Sequence, residues 1–158
     1  MKRLSYSAIR AKQGAPHAVF TIAARASDIL RFASIDRIAR SEDGALRGFQ
    51  RHQIASHIRE IREYLTKDEA VLPNSIVVAF IDGVEIKGTD THPVLAFDLT
   101  GGPRGLVVDG QQRLSALAEL PEKDFEAFVS ILICADEAEL RRQFILINNT
   151  RPLPKSLI

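Results

Sequence analysis

Residues 105–120 read GLVVDGQQRLSALAEL, and this stretch changes character twice within a few positions. Gly105 to Val108 have the apolar, β-branched content of the end of a buried strand, whereas Leu114 to Leu120 carry apolar residues at helical spacing. The two periodicities are incompatible, so the chain must change structure across Asp109, Gly110, Gln111, Gln112 and Arg113. Asp-Gly ordinarily marks a tight hairpin, and it recurs here at Asp43-Gly44 and Asp82-Gly83. Only at Asp109-Gly110 is it followed by two amides and a guanidinium that open a helix.

A helix entered near Gln111 leaves its first N–H groups without intrahelical acceptors, at the end where the dipole favours negative charge. Anions, most often phosphates, settle in such a place. Gly110 lets the backbone approach a ligand with no Cβ in the way, and Arg113 in the first turn can make a bidentate contact to phosphate oxygens. Gln111 and Gln112 offer amide donors and acceptors that suit a ribose, a base edge or a water. Asp109 is the odd member, because a carboxylate beside a phosphate is repulsive unless something mediates. It can cap the helix, bind a divalent cation shared with the phosphates, or accept a hydrogen bond from Arg113. The plain alternative is that Asp109 is an ordinary N-cap and Gln111 to Arg113 a solvated first turn.

Two further clusters carry similar chemistry. In GFQRHQ, Gln50 and Arg51 stand at what reads as the N-terminus of a helix over 51–65, where Ile54, Ile58, Ile61 and Leu65 recur at steps of three and four. If this turn and the Asp109–Arg113 turn face one cleft, Arg51 and Arg113 clamp a polyphosphate or a nucleic-acid backbone; otherwise Arg51 is a surface arginine. In INNTRPLP, Asn148, Asn149 and Thr150 follow the last helix and suit its C-cap. Asn148 could also hydrogen-bond a base or sugar, and Arg151 adds a basic group.

Elsewhere, AVFTIAA (18–24), SIVVAFI (75–81), PVLAFDL (93–99) and FEAFVSILIC (125–134) read as strands, with a short strand at 84–86 reached through an Asp82-Gly83 turn. Ser27 or Asp28 is positioned to cap a short helix ending near Phe32, and Asp136 to Asn148 forms a helix with Leu140, Phe144 and Ile147 on one face. DRIARSEDGALRGFQRHQ (36–53) is polar, Arg-rich and broken by glycines, and reads as an exposed loop. This mixed order of hairpins and strand-helix-strand crossings implies an α+β fold, a mixed sheet with packed helices.

The 158 residues fit a single domain spanning 1–158. The apolar run beginning at PLPKSLI implies the N-terminal part of a longer protein. The 21 Lys and Arg against 20 Asp and Glu give a net charge of +1, which leaves nucleic-acid binding to a local groove. The single cysteine, Cys134, rules out an internal disulfide and fits a reducing, cytoplasmic setting. No stretch reaches the roughly 18 apolar residues of a membrane span. His52 and His57 are five apart on different helix faces with no Cys nearby, which argues against zinc. No serine sits in a nucleophile elbow, and Gly101-Gly102 lacks the spacing of a dinucleotide or P-loop site. Asp82, Glu85 and Asp90 read as a solvated acidic hairpin.

Taken in order, FQRHQIASHIREIREYL, LPNSIVVAFID, VVDGQQRLSAL and FILINNTRPLP resemble the DGQHR-domain proteins of the ParB/sulfiredoxin-like superfamily, over roughly two thirds of the chain. Gln112 stands where the name-giving motif has His, and DGQQRL is also similar to the related domain of GmrSD-type restriction endonucleases. The familiar relatives serve DNA phosphorothioation and 7-deazaguanine insertion into DNA, systems that mark self DNA and support phage defence. The resemblance implies a ParB/sulfiredoxin-like fold with a phosphate site at Gly110, Gln112 and Arg113, Asp109 serving a metal or the attacking water, and Gln50-Arg51 closing the cleft. Sulfiredoxin chemistry is not implied, since its cysteine is replaced by Gln in the turn. The function expected is a nucleotide-binding, NTP-hydrolysing component of a DNA-modification system, using Mg²⁺ with ATP or another NTP. Its partners would be nucleotide, DNA and other DNA-modification proteins. Gly110, Gln111, Gln112, Arg113, Gln50, Arg51 and Asn148 would bind nucleotide, and Asp109 and Arg113 would act in catalysis. The rival is a non-enzymatic DNA-binding repressor of such a system, holding DNA phosphates with the same arginines.

Overall fold

The computed structural model describes residues 2–14, 17–35 and 44–149, and for residues 44–53 the backbone alone. In chain order the elements are β1 (Arg3–Ser7), β2 (Ile9–Ala11), β3 (Ala18–Arg25), α1 (Ala26–Phe32), β4 (Ala33–Ser34), α2 (Gly44–Leu65) and β5 (Ile76–Phe80). There follow β6 (Val84–Gly88), β7 (Pro93–Asp98), β8 (Gly105–Asp109), α3 (Gln111–Ala118), β9 (Glu126–Ile133) and α4 (Glu137–Asn148). The fold is α+β. A three-stranded antiparallel sheet runs β1-β7-β6, and a six-stranded mixed sheet runs β2-β3-β9-β5-β8-β4.

The six-stranded sheet is the middle layer, and β5 shows why. Ile76, Val78 and Phe80 belong to one buried cluster with Phe20, Ile22, Val107, Val129 and Ile131, while Ala79 belongs to a second with Val108, Leu132 and Leu140. Alternate residues of one strand thus enter different cores, which is why SIVVAFI is almost continuously apolar. The inner face is covered by Ile29 and Phe32 of α1, Ile58, Ile61 and Leu65 of α2, Leu114 and Leu117 of α3, and Leu95 and Phe97 of β7. The outer face is covered by α4 through Leu140, Phe144 and Ile147.

Aromatic rings join the two sheets. Phe32 stacks on Phe97 with centroids 4.4 Å apart, Phe80 lies 5.2 Å from Phe97, and Tyr6 meets both Phe32 and Phe97 edge-on. The Tyr6 hydroxyl donates to Asp28 Oδ2 at 2.9 Å, and burial together with that carboxylate raises its pKa. Phe80 fits only because Gly105 beside it lacks a side chain: a Cβ there would lie 2.6 Å from the ring and 2.7 Å from Val78 Cγ1.

Several sequence expectations need correction. Of the expected loop over 36–53, residues 36–43 lie outside the described residues, and 44–53 are the first turns of α2. Two glycines there suggested a loop. Helix formation is cooperative, so the firmly packed turn carrying Ile58, Ile61 and Leu65 propagates backwards through Gly48 despite its poor propensity. Neither Ser27 nor Asp28 caps α1: Arg25 is the N-cap, Ser27 Oγ donates to Asp124 and Asp28 is taken by Tyr6. Asp82-Gly83 turns the chain into β6 as expected, and β6 joins the small sheet while β5 lies in the large one. The strands β1, β2 and β4 had no sequence signal: all are short or polar, and β1 and β4 are held by partners distant in sequence. No helix among the described residues is long and apolar enough to cross a membrane.

At the start of α4, Asp136 accepts from the Glu139 N–H at 2.8 Å, and Glu139 Oε2 accepts from the Ala135 N–H at 2.8 Å. His17 Nδ1 faces the other Glu139 oxygen. Burial, with Glu139 and Asp136 nearby, pushes the Cys134 thiol up to about 11.

Two outcomes are expected. Gly105→Ala should destabilise the fold by about 1–3 kcal/mol, the usual cost of overpacking, read from urea unfolding. Cys134 should resist alkylation at pH 8 in the native protein and react on unfolding. Because its pKa is raised on folding, its stabilising contribution is present below about 9 and lost as pH rises towards about 11. The urea midpoint should therefore fall further across that window in the wild type than in Cys134→Ala.

Candidate phosphate-binding turn

The sequence GLVVDGQQR becomes a strand that stops and a helix that starts with one residue between them. β8 ends at Asp109, α3 begins at Gln111, and Gly110 is the helix N-cap with φ +87° and ψ 18°. This left-handed conformation costs a residue with a Cβ roughly 1–2 kcal/mol, and space is short as well. A Cβ on Gly110 would lie 3.1 Å from Arg113 Nη2 and 3.2 Å from Ile76 Cγ1. Gly110 therefore lets three things converge: the strand end, the helix start and the Arg113 side chain.

The helix N-terminus receives no side-chain cap. Of the three arrangements open to Asp109, capping is not the one adopted, because Gly110 occupies the N-cap position. The first intrahelical bond there runs from the Leu114 N–H to the Gly110 carbonyl at 2.9 Å, so the N–H groups ahead of it have no such acceptor. Asp109 Oδ2 instead lies 3.6 Å from Arg113 Nη2.

The two partners of this ion pair differ in environment. The Arg113 side chain is 19% exposed and that of Asp109 is 49% exposed. The guanidinium is thus mostly enclosed while the carboxylate reaches solvent. Arg113 Nη1 is buried and, among the described residues, has no hydrogen-bond partner. An unpaired buried donor costs about 1–3 kcal/mol, and more when charged, so this nitrogen is a strong prospective donor to an anion.

The other amides are partly committed to the fold. Gln111 Nε2 donates to the Val107 carbonyl at 3.3 Å. Asn148 Nδ2 donates to the carbonyls of Val108 and Phe144, each at 2.7 Å. Asn148 therefore reaches β8 next to Asp109, and Asn149 is the C-cap of α4. Gln112 is partly buried in the first turn of α3.

Gln50 and Arg51 lie inside α2, not at its N-terminus, because the helix begins at Gly44. Their side chains are outside the described residues, as is Arg151. α2 packs along α3, which opens at the Asp109–Arg113 turn. Among the described residues no group of three or more His, Cys, Asp or Glu side chains could hold a metal ion. Asp109 alone offers a single carboxylate, which fits a Mg²⁺ that arrives on phosphate oxygens rather than one resident in a protein cage.

What sequence reading missed was the register of β8. Val78 pairs with Val107 and Val77 with Asp109, so Val108 has no partner on β5 and forms a β-bulge. A run such as GLVVD does not announce a bulge, since every residue in it suits a regular strand.

The structure thus defines an α+β domain with a strand-to-helix turn at Asp109–Arg113. The family model described as DndB, DNA-sulfur modification-associated, matches residues 6–158, and the chain belongs to that family. This membership ties it to DNA-sulfur modification systems. No curated protein and no solved structure matches the chain.

Gly110→Ala should displace Arg113 and destabilise the domain by about 1–2 kcal/mol through the left-handed backbone alone. Thermal unfolding checks the stability, and a changed Arg113 Nε–H resonance checks the displacement.

Proposed function

We infer that the Asp109–Arg113 turn binds nucleotide phosphates and that the chain is an NTP-hydrolysing component of its DNA-sulfur modification system. The observation that carries this reading is the buried Arg113 Nη1, which among the described residues is unpaired, beside the N-terminus of α3, which has no side-chain cap. A phosphate lodged there gives the guanidinium its missing acceptor and meets the N–H groups of the first helical turn. Asp109 keeps Arg113 oriented from its solvent side. Its exposed carboxylate would repel a bare phosphate, which favours a nucleotide carrying Mg²⁺. The ion, when bound, neutralises charge on the phosphate oxygens. Asp109 is also placed to orient a water. The sequence resemblance to the ParB/sulfiredoxin-like DGQHR proteins supports the same assignment.

ATP and GTP binding and turnover by the wild type, Arg113→Ala and Asp109→Ala test this. Arg113→Ala should weaken nucleotide binding by about 10–100-fold, the loss of hydrogen bonds from a charged group. Asp109→Ala should lower turnover more than affinity. A wild type that neither binds nor hydrolyses nucleotide at millimolar concentration refutes the reading. If that protein shifts DNA without nucleotide, steeply weakened by salt and lost in Arg113→Ala, the turn serves a DNA-binding regulator.

A further inference from the structure

Side chains alternate along a strand, and Val107 faces the inner core, so an unbroken ladder would send Asp109 inwards as well. That would put a carboxylate among apolar side chains at considerable cost. The bulge prevents it. With Val108 as the extra residue, Asp109 pairs with Val77, which packs on the outer cluster beneath α4. One inserted residue therefore decides on which side of the sheet Asp109 emerges.

A bulge takes a carbonyl out of the ladder, and a buried carbonyl needs a donor. Among the described residues β4 pairs only with Gly105 and Leu106 and does not reach this point. The donor is Asn148, from the last turn of α4, whose Nδ2 reaches the Val108 carbonyl at 2.7 Å. The same nitrogen donates to the Phe144 carbonyl one turn back, which fixes the side chain's direction. We propose that Asn148 is a positioning residue for the Asp109–Arg113 turn, holding the bulge at Val108 and with it the outward placement of Asp109. The end of α4 and the phosphate-binding turn then form one mechanical unit. This inference rests on reading that turn as the nucleotide site.

The test compares MgATP binding and the amide resonance of Gly110 in the wild type, Asn148→Asp and Leu140→Ala. Asn148→Asp keeps the shape but replaces the donor with a carboxylate, and Leu140→Ala loosens α4 while leaving the Asn148 contact in place. Asn148→Asp should lose about 10–100-fold in affinity, as for other groups that orient a site from behind, and should move the Gly110 resonance without ligand. Leu140→Ala should lower the unfolding midpoint yet keep affinity and resonance. Should Asn148→Asp fail to fold, the wild type still answers: the Asn148 side-chain amide signals should shift with MgATP in step with Gly110. The role of Asn148 is overturned if Asn148→Asp binds like the wild type with Gly110 unmoved, or if those amide signals stand still as Gly110 saturates. A wild type that binds no MgATP overturns the nucleotide reading itself, and this inference with it.

Discussion

The contact on which the rest of the molecule depends is the seating of the Phe80 ring against Gly105. It requires a strand residue with no side chain, and it locks β8 beside β5 at the point where the two cores meet. The ring then closes the aromatic group with Phe32 and Phe97, so the small sheet, α1 and the large sheet share one anchor. Because β8 is set by this contact at its start, its far end is delivered to a fixed place, and Asp109 and Gly110 follow.

Much of this was legible in the sequence, and the reasons differ from element to element. β3, β5, β7, β8 and β9 announced themselves because each buries at least one whole face, so burial wrote their apolar runs directly into the chain. α4 was legible because the Leu140, Phe144 and Ile147 stripe acts locally, whereas the capping role of Asp136 was not read from the sequence. β1 was not, since RLSYS alternates too weakly to signal a strand and owes its state to pairing with β7. The first turns of α2 were hidden by two glycines, whose local preference is overridden by the helix they join.

At the candidate site the boundary lay elsewhere. That a strand would end and a helix begin around Gly110 followed from periodicity, and the left-handed backbone there is what glycine permits. The enclosure of Arg113 did not follow, because it arises from packing around the guanidinium rather than from spacing. Nor did the bulge, which is a property of two paired strands. Asn148, read from the sequence as a possible contact to a base or sugar, has its amide nitrogen engaged with protein carbonyls.

The order of strands bears on how the chain can be made. β9 lies between β3 and β5 in the large sheet, yet among the described strands it comes last in sequence, and its register joins Ala18 to Ile133. Until it arrives, β3 and β5 each present an unpaired edge rich in β-branched and aromatic residues, and the sheet exists only as two halves. On the ribosome the Asp109–Arg113 turn therefore emerges before the sheet that supports it is whole. Closure by β9 is the step that turns a set of aggregation-prone edges into a domain.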